Sequence, residues 1–219
     1  MRRPRPAAVL FDCDGVLADS EGLVNRLVAA ELTARGWRMS GEQARETFLG
    51  MALPDMMLVI EARVGTLGPG WAEALSARIA GAMLTELEPI PGAPEAVRAV
   101  VAAGVPVAVA SNSARLELAA KLRRLDLAAV FGTRVFSFED VPRPKPAPDM
   151  YLAAAAACGA APAACVVVED SLLGARAGIA AGCRVLGFTR ETDRAVLAAV
   201  GAEPFADMAA LGELLGLAA

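Results

Sequence analysis

The 219-residue chain contains no histidine. That one absence removes Ser-His-Asp triads and histidine-ligated metal centres together. A basic excess is missing too: 21 Lys and Arg face 25 Asp and Glu, a net charge of −4. A nucleic-acid partner, which requires a basic stripe, is therefore not expected. Cysteine is sparse and unpatterned. Cys13, Cys158, Cys165 and Cys183 show no CxxC spacing and lie among apolar or small residues, as the reduced thiols of a cytoplasmic protein do. The stretch Met1–Pro6 is basic, but the apolar run after it is too short for a secretory leader and ends in acids. Residues 150–168 carry no charge and are long enough to span a bilayer. They are mostly alanine, however, and Gly159 and Pro162 interrupt them. The expected reading is a helix from about Pro148 to Cys158, a turn, a strand at Cys165–Val168 and no membrane partner.

What is present suits a folded α/β protein. With 56% hydrophobic and 21% charged residues, disorder is excluded. The length fits one large domain or two small ones. From Pro91 onward strand-like and helix-like blocks alternate. Val105–Ala110, Val135–Phe138, Cys165–Val168 and Val185–Phe188 read as strands. A helical pattern runs through Leu116, Leu118, Leu122 and Leu125, and further helices are expected at Leu172–Ala181, Ala195–Val200 and Met208–Leu215. This rhythm implies a doubly wound, Rossmann-like parallel sheet with helices on both faces. The small residues Gly174, Ala175, Ala177, Gly178 and Ala180 let their helix lie close to the sheet. Residues from about Asp19 to Glu88 differ, having helical stripes and almost no strand signal. The stripes run through Leu23, Leu27, Val28 and Leu32, through Met56, Met57, Val59 and Ile60, and through Leu75, Ile79 and Leu84. The expected division is an α/β core at 1–17 and 90–219 with an all-helical cap at 18–89, placed to act as a lid.

The chemistry-bearing residues fall where strands end. Ala7–Phe11 is a continuous apolar run followed by Asp12-Cys13-Asp14-Gly15. Two carboxylates two residues apart leave an extended chain on one side and repel unless a cation or shared proton intervenes. Asp and Gly also suit a plain solvated turn. Ser111 and Asn112 end a second strand beside a helix start, a place that binds anions but also suits a simple helix cap. Lys145 lies between two prolines, which holds it extended and fixes its reach, although an isolated lysine is usually a surface residue. Val166–Val168 ends in Glu169 and Asp170, and adjacent acids after a buried strand point to a cation site. Oxygen ligands without histidine suit Mg²⁺.

In this order and spacing, Asp12-Cys13-Asp14-Gly15-Val16-Leu17, Ser111-Asn112, Lys145 and Glu169-Asp170 resemble the four motifs of the haloacid dehalogenase-like hydrolases. The resemblance extends to the subfamily with a helical cap inserted after the first motif, which includes phosphoglycolate phosphatases, sugar-phosphate phosphatases and β-phosphoglucomutase. It implies that Asp12 attacks phosphorus and that Asp14 protonates the leaving oxygen and later activates water. It implies Mg²⁺ held by Asp12, the Asp14 carbonyl, Asp170 and, directly or through water, Glu169. Ser111 and Lys145 would bind the phosphoryl group. Asp19-Ser20-Glu21 and Asn112-Ser113 resemble cytosolic sugar-phosphate phosphatases, which adds Asn112 and Glu21 as substrate-binding candidates.

Two departures bear on the choice within the family. Val24 stands where the mutases carry a histidine, and Leu53 stands where they carry a phosphate-binding arginine. The loop Gly50-Met51-Ala52-Leu53, expected to set specificity, is uncharged. A Mg²⁺-dependent phosphatase acting on a small phosphorylated metabolite, as a monomer or weak homodimer, is therefore expected ahead of a phosphosugar mutase. A phospho-receiver module ranks last, since receivers lack a cap-sized insertion and carry their acceptor Asp on a later strand. Cys13 is not expected as a nucleophile, because the acids beside it disfavour a thiolate.

Overall fold

The computed structural model describes residues 4–217, so Met1, Arg2 and Arg3 of the basic stretch lie outside the described residues. In chain order the elements begin with β1 (Ala8–Phe11), β2 (Ala18–Asp19), α1 (Glu21–Ala34), α2 (Gly41–Phe48), α3 (Leu53–Val64), α4 (Trp71–Glu86) and β3 (Glu88–Pro89). They continue with α5 (Ala93–Ala102), β4 (Val107–Ser111), α6 (Arg115–Arg124), α7 (Ala128–Phe131), β5 (Val135–Ser137) and α8 (Asp149–Ala157). The last are β6 (Cys165–Glu169), α9 (Leu172–Ala180), β7 (Arg184–Phe188), α10 (Arg194–Ala199), β8 (Glu203–Phe205) and α11 (Leu211–Leu214).

Six strands form one sheet in the order β5-β4-β1-β6-β7-β8, with parallel pairing throughout. Side chains alternate across it. Val9, Phe11, Val107, Val109, Val166 and Val168 enter one core, which also holds Val97 of α5, Leu118 of α6 and Leu211 of α11. Leu10, Ala108, Ala110, Val167 and Val185 enter the other, with Met150 and Tyr151 of α8, Ala175 of α9 and Leu197 of α10. Because both faces are covered, every residue of β1, β4 and β6 is buried. The connections leave β1 in one direction for β4 and β5 and in the other for β6 to β8. That makes the carboxyl end of β1 a switch point, where open α/β sheets bind ligands.

β2 and β3 pair antiparallel, Ala18 with Pro89 and Asp19 with Glu88, so the two chain crossings form a short ribbon. Between them lie the four helices α1 to α4. Three stripes were expected there, and the fourth helix, α2, buries only Ala44 and Phe48. It is held instead by a capping box in which the Ser40 and Gln43 side chains each bond the other's backbone N–H. In α4 the buried series is Trp71, Leu75, Ile79 and Met83; Leu84, one position further round, is 45% exposed. Of the Met56–Ile60 stripe only Ile60 is fully buried. The sequence also gave no signal for β8, whose Glu203-Pro204-Phe205 is unlike a central strand. Proline is tolerated there because β8 is at the sheet edge. Among the described residues no helix is long and apolar enough to cross a membrane.

The small residues of α9 do lie against the sheet. A Cβ at Gly178 would come within 2.8 Å of Val185 Cγ2 and 3.2 Å of Val167 Cγ1. Gly178→Val is therefore expected to destabilise the fold by about 1–3 kcal/mol. Thermal unfolding checks this, with the midpoint falling roughly 2–4 °C per kcal/mol.

Candidate active site

Four segments converge at the carboxyl ends of β1, β4 and β6. Asp12 follows β1 directly, and its backbone N–H donates to Val168 O, 2.9 Å away across the sheet. Lys145, which sequence alone left open as a surface residue, is only 3% exposed. Its Nζ donates to Asp12 Oδ1 at 2.6 Å, to Glu169 Oε1 at 2.6 Å and to Ala110 O at 2.9 Å. All three ammonium hydrogens are thereby engaged. Tyr151 lies beneath, with its ring centroid 4.7 Å from Lys145 Nζ and its hydroxyl donating to Glu169 Oε1 at 2.8 Å. Glu169 Oε2 accepts from the backbone N–H groups of Asp170 and Ser171 and from Ser171 Oγ, each at 3.1 Å. Glu169 is fully satisfied.

Asp170 differs. It is buried, and its carboxylate accepts no hydrogen bond among the described residues. Asp12, Glu169 and Asp170 each offer an oxygen, and these lie within 4.8 Å of one another. Burial raises the Asp12 pKa well above the usual carboxylate range; the charge of Glu169 adds to this and Lys145 opposes it. Burial also raises Asp170, reinforced by Glu169 and Asp12. Three crowded acids with one ammonium between them form a site that a hard divalent cation fits. The backbone gives way to make room. Gly15 has φ +73°, and a Cβ there would come within 2.0 Å of Asp170 Oδ2. A Cβ at Gly174 would come within 1.6 Å of Glu169 Oε1.

Asp14 turns to a separate set of donors. Ser20 Oγ and Lys121 Nζ both donate to its Oδ1. Ser113 Oγ donates to Oδ2 at 2.7 Å, and Ser111 Oγ at 3.1 Å. Burial pushes the Asp14 pKa up, but Lys121 and the hydroxyls outweigh it and hold the group at about 2. Ser111 is therefore no plain helix cap; its Oγ also accepts from Ser113 N–H at 3.0 Å. The Asn112 amide is engaged elsewhere. Its Nδ2 donates to Gly50 O at 2.9 Å and Lys145 O at 3.2 Å, and its Oδ1 accepts from Lys145 N–H at 3.0 Å.

These groups open into a cavity of about 130 Å³. Asp12, Asp14, Ser111, Asn112, Lys145 and Asp170 line its core side, while Val24, Met51, Leu53 and Met56 are among the cap residues facing them. Glu21 also lines it, and its Oε2 is buried without a hydrogen-bond partner. Burial raises the Glu21 pKa to about 7, with Glu191 and Asp14 adding to the effect. Glu169 is the one sequence-expected residue that does not line the cavity. It sits behind it, holding Lys145.

Sequence reasoning missed Lys121 and Glu117. Lys121 is 1% exposed, and Glu117 accepts from Ser76 Oγ of α4. Of the leucines in the α6 pattern, Leu118, Leu122 and Leu125 are buried, whereas Leu116 is 56% exposed. Attraction between Lys121 and Asp14 fits the helix being turned this way. The available signal was a Glu and a Lys four residues apart beside Leu118 and Leu122.

Comparison with known proteins agrees with this geometry. Residues 6–182 match the family model for haloacid dehalogenase-like hydrolases. The chain is 33% identical over 186 residues to 6-phosphogluconate phosphatase of Escherichia coli, covering 84% of this chain and 83% of that protein. It is 35% identical over 188 residues to hexitol phosphatase B of the same organism, covering 84% of each. The crystal structure of CbbY from Rhodobacter sphaeroides with phosphate superposes with a TM-score of 0.81 at 28% identity, covering 97% of this chain and 99% of that one.

Removing one partner of a buried, hydrogen-bonded charge cluster strands the others. Lys145→Met is expected to cost about 3–5 kcal/mol of stability. Combining it with Asp12→Asn should restore part of that loss. Denaturant unfolding of the single and double variants checks both outcomes.

Proposed function

Because the chain belongs to the haloacid dehalogenase-like hydrolases, we propose that it is a Mg²⁺-dependent phosphatase hydrolysing a small phosphorylated metabolite, a sugar phosphate, through an aspartyl phosphate on Asp12. The observation that carries this reading is the contact of Lys145 Nζ with Asp12 Oδ1 at 2.6 Å, beside the unbonded Asp170 carboxylate. A carboxylate positioned by a buried ammonium, next to oxygens that attract a cation, is arranged for nucleophilic attack on phosphorus. The sugar-phosphate class is supported by the names of the curated relatives.

Asp12, Asp170 and the backbone carbonyl of Asp14 would hold the Mg²⁺, with Glu169 fixing Lys145 and the β6 turn behind them. When bound, the ion neutralises phosphoryl charge and orients the phosphoryl group. Asp12 attacks phosphorus and the ester oxygen leaves. Lys145 keeps the nucleophile aimed and offsets the surrounding negative charge. Ser111 Oγ exchanges its Asp14 contact for a phosphoryl oxygen. An arriving phosphoryl group raises the proton affinity of Asp14, which takes up a proton from solvent and passes it to the leaving oxygen as the P–O bond breaks. The same carboxylate next takes a proton from the water that hydrolyses the acyl phosphate. Asn112 positions Lys145 and the Gly50 loop, and Glu21 meets the alcohol part of the substrate. The positions at which the mutases carry histidine and arginine line the cavity as Val24 and Leu53, so nothing here favours isomerase chemistry.

Asp12→Asn should lower p-nitrophenyl phosphate turnover by about 10³-fold or more while thermal unfolding remains cooperative. Turnover close to wild type would remove Asp12 as nucleophile. EDTA should silence the wild-type enzyme and Mg²⁺ restore it. Binding to the folded form alone should also raise the unfolding midpoint, by the equivalent of about 2.7 kcal/mol at a hundred times Kd. Activity surviving exhaustive chelation, or an unmoved midpoint, contradicts the metal assignment.

A further inference from the structure

We infer that the cap selects against a second negative charge: the substrate is a phosphomonoester whose leaving group is an uncharged alcohol. This rests on the phosphatase reading above and concerns the far end of the same cavity. Two ammonium groups line the cavity, Lys121 and Lys145, against the carboxylates of Asp12, Asp14, Glu21, Glu117 and Asp170. Both lysines belong to the core. Lys121 is bonded to Asp14 and Ser113, and Lys145 to Asp12 and Glu169. Neither is left to receive an anion at the cap end.

The cap side is apolar. Val24, Val28, Met51, Leu53, Met56 and Ile79 supply most of it, and the cap adds no lysine or arginine to the lining. Its polar side chains are Ser20, bonded to Asp14, the neutral amide of Asn25, and Glu21, an acid. Arg45 and Arg190 approach Glu21 from outside the lining, but both are paired. Arg45 bonds Glu42 at 2.7 Å and lies 3.6 Å from Glu191, and Arg190 bonds Asp19 at 2.6 Å. A carboxylate or second phosphate here would lose water against hydrocarbon and, above pH 7 where Glu21 is ionised, meet like charge. A hydroxyl would not. Glu21 Oε2, buried and unbonded, is, once ionised, an acceptor that an alcohol hydrogen satisfies and an anion cannot.

The test uses the full chain with Mg²⁺ at pH 8, above the Glu21 pKa of about 7, and measures phosphate release from two six-carbon esters that differ chiefly in charge, sorbitol 6-phosphate and 6-phosphogluconate. The expected kcat/KM ratio favours sorbitol 6-phosphate by about tenfold or more, the equivalent of about 1.4 kcal/mol. Leu53→Arg puts a cation in the lining and should narrow or reverse that ratio by about tenfold, with thermal unfolding run alongside to establish that the variant is folded. If that variant does not fold, the wild-type ratio decides alone. Equal or inverted wild-type ratios, with p-nitrophenyl phosphate still hydrolysed, overturn this inference and leave the phosphatase reading standing. A folded Leu53→Arg enzyme with an unchanged ratio overturns it as well. No release from any of the three esters overturns the phosphatase reading and the inference with it.

Discussion

One buried ammonium organises the reacting centre. Lys145 Nζ joins the end of β1, through Asp12, to the end of β6, through Glu169, and to the backbone of β4 at Ala110. Without that cation the acids at the strand ends would repel one another in a place that water scarcely reaches. Tyr151 and the turn after β6 complete the hydrogen bonding of Glu169, so the lysine is held as firmly as it holds Asp12. Asp170 is left outside this arrangement, buried and unpaired. An unpaired acid lowers stability, and its retention at a cleft is the mark of a site shaped for a charged ligand. Gly15 and Gly174 belong to the same design, since side-chain carbons there would collide with Asp170 and Glu169.

Charge divides between the two sides of the cleft. The core side is dense with acids, hydroxyls and the two lysines, whereas the cap side is largely hydrocarbon with Glu21 at its edge. The cap is seated on the core by specific contacts. Asn112 holds Gly50 O, Ser76 bonds Glu117, and Arg124 Nε donates to Leu87 O at 3.0 Å. Asn112 touches both the Gly50 loop and Lys145, so the placement of that loop and of the buried lysine share one side chain. In the proposed reaction the acids and lysines of the strand ends act on the phosphoryl group, and the apolar cap side meets the alcohol.

Much of this was legible in the sequence because buried parallel strands are written as unbroken apolar runs. Ala8–Phe11, Val107–Ser111 and Cys165–Glu169 announce themselves, and polar residues at their ends have few structural reasons to be there. What escaped depends on contacts between distant segments or on weak local signals. The partnership of Lys121 with Asp14 spans 107 positions and lies on the same inward face of α6 as Leu118 and Leu122. The leucine pattern alone does not tell Leu116, which is exposed, from Leu118 and Leu122, which are buried. The capture of Gly50 by Asn112 spans 62 positions and has no local trace. α2 is nearly all polar, and its evidence was the Ser40–Gln43 capping pair rather than a stripe. β8 contains a proline that only an edge strand tolerates.

The proposed reaction runs through a covalent bond to Asp12, and trapping the phosphorylated enzyme tests it most directly. Turnover of a phosphomonoester with Mg²⁺ would be quenched in acid, the protein reduced with borohydride to convert an aspartyl phosphate to homoserine, and the peptides sequenced by mass spectrometry. The modified residue is expected at position 12 alone, with none in protein quenched without substrate. Modification at Asp14 or Asp170 instead, or an unmodified Asp12 in enzyme quenched during a burst of product release, would contradict it.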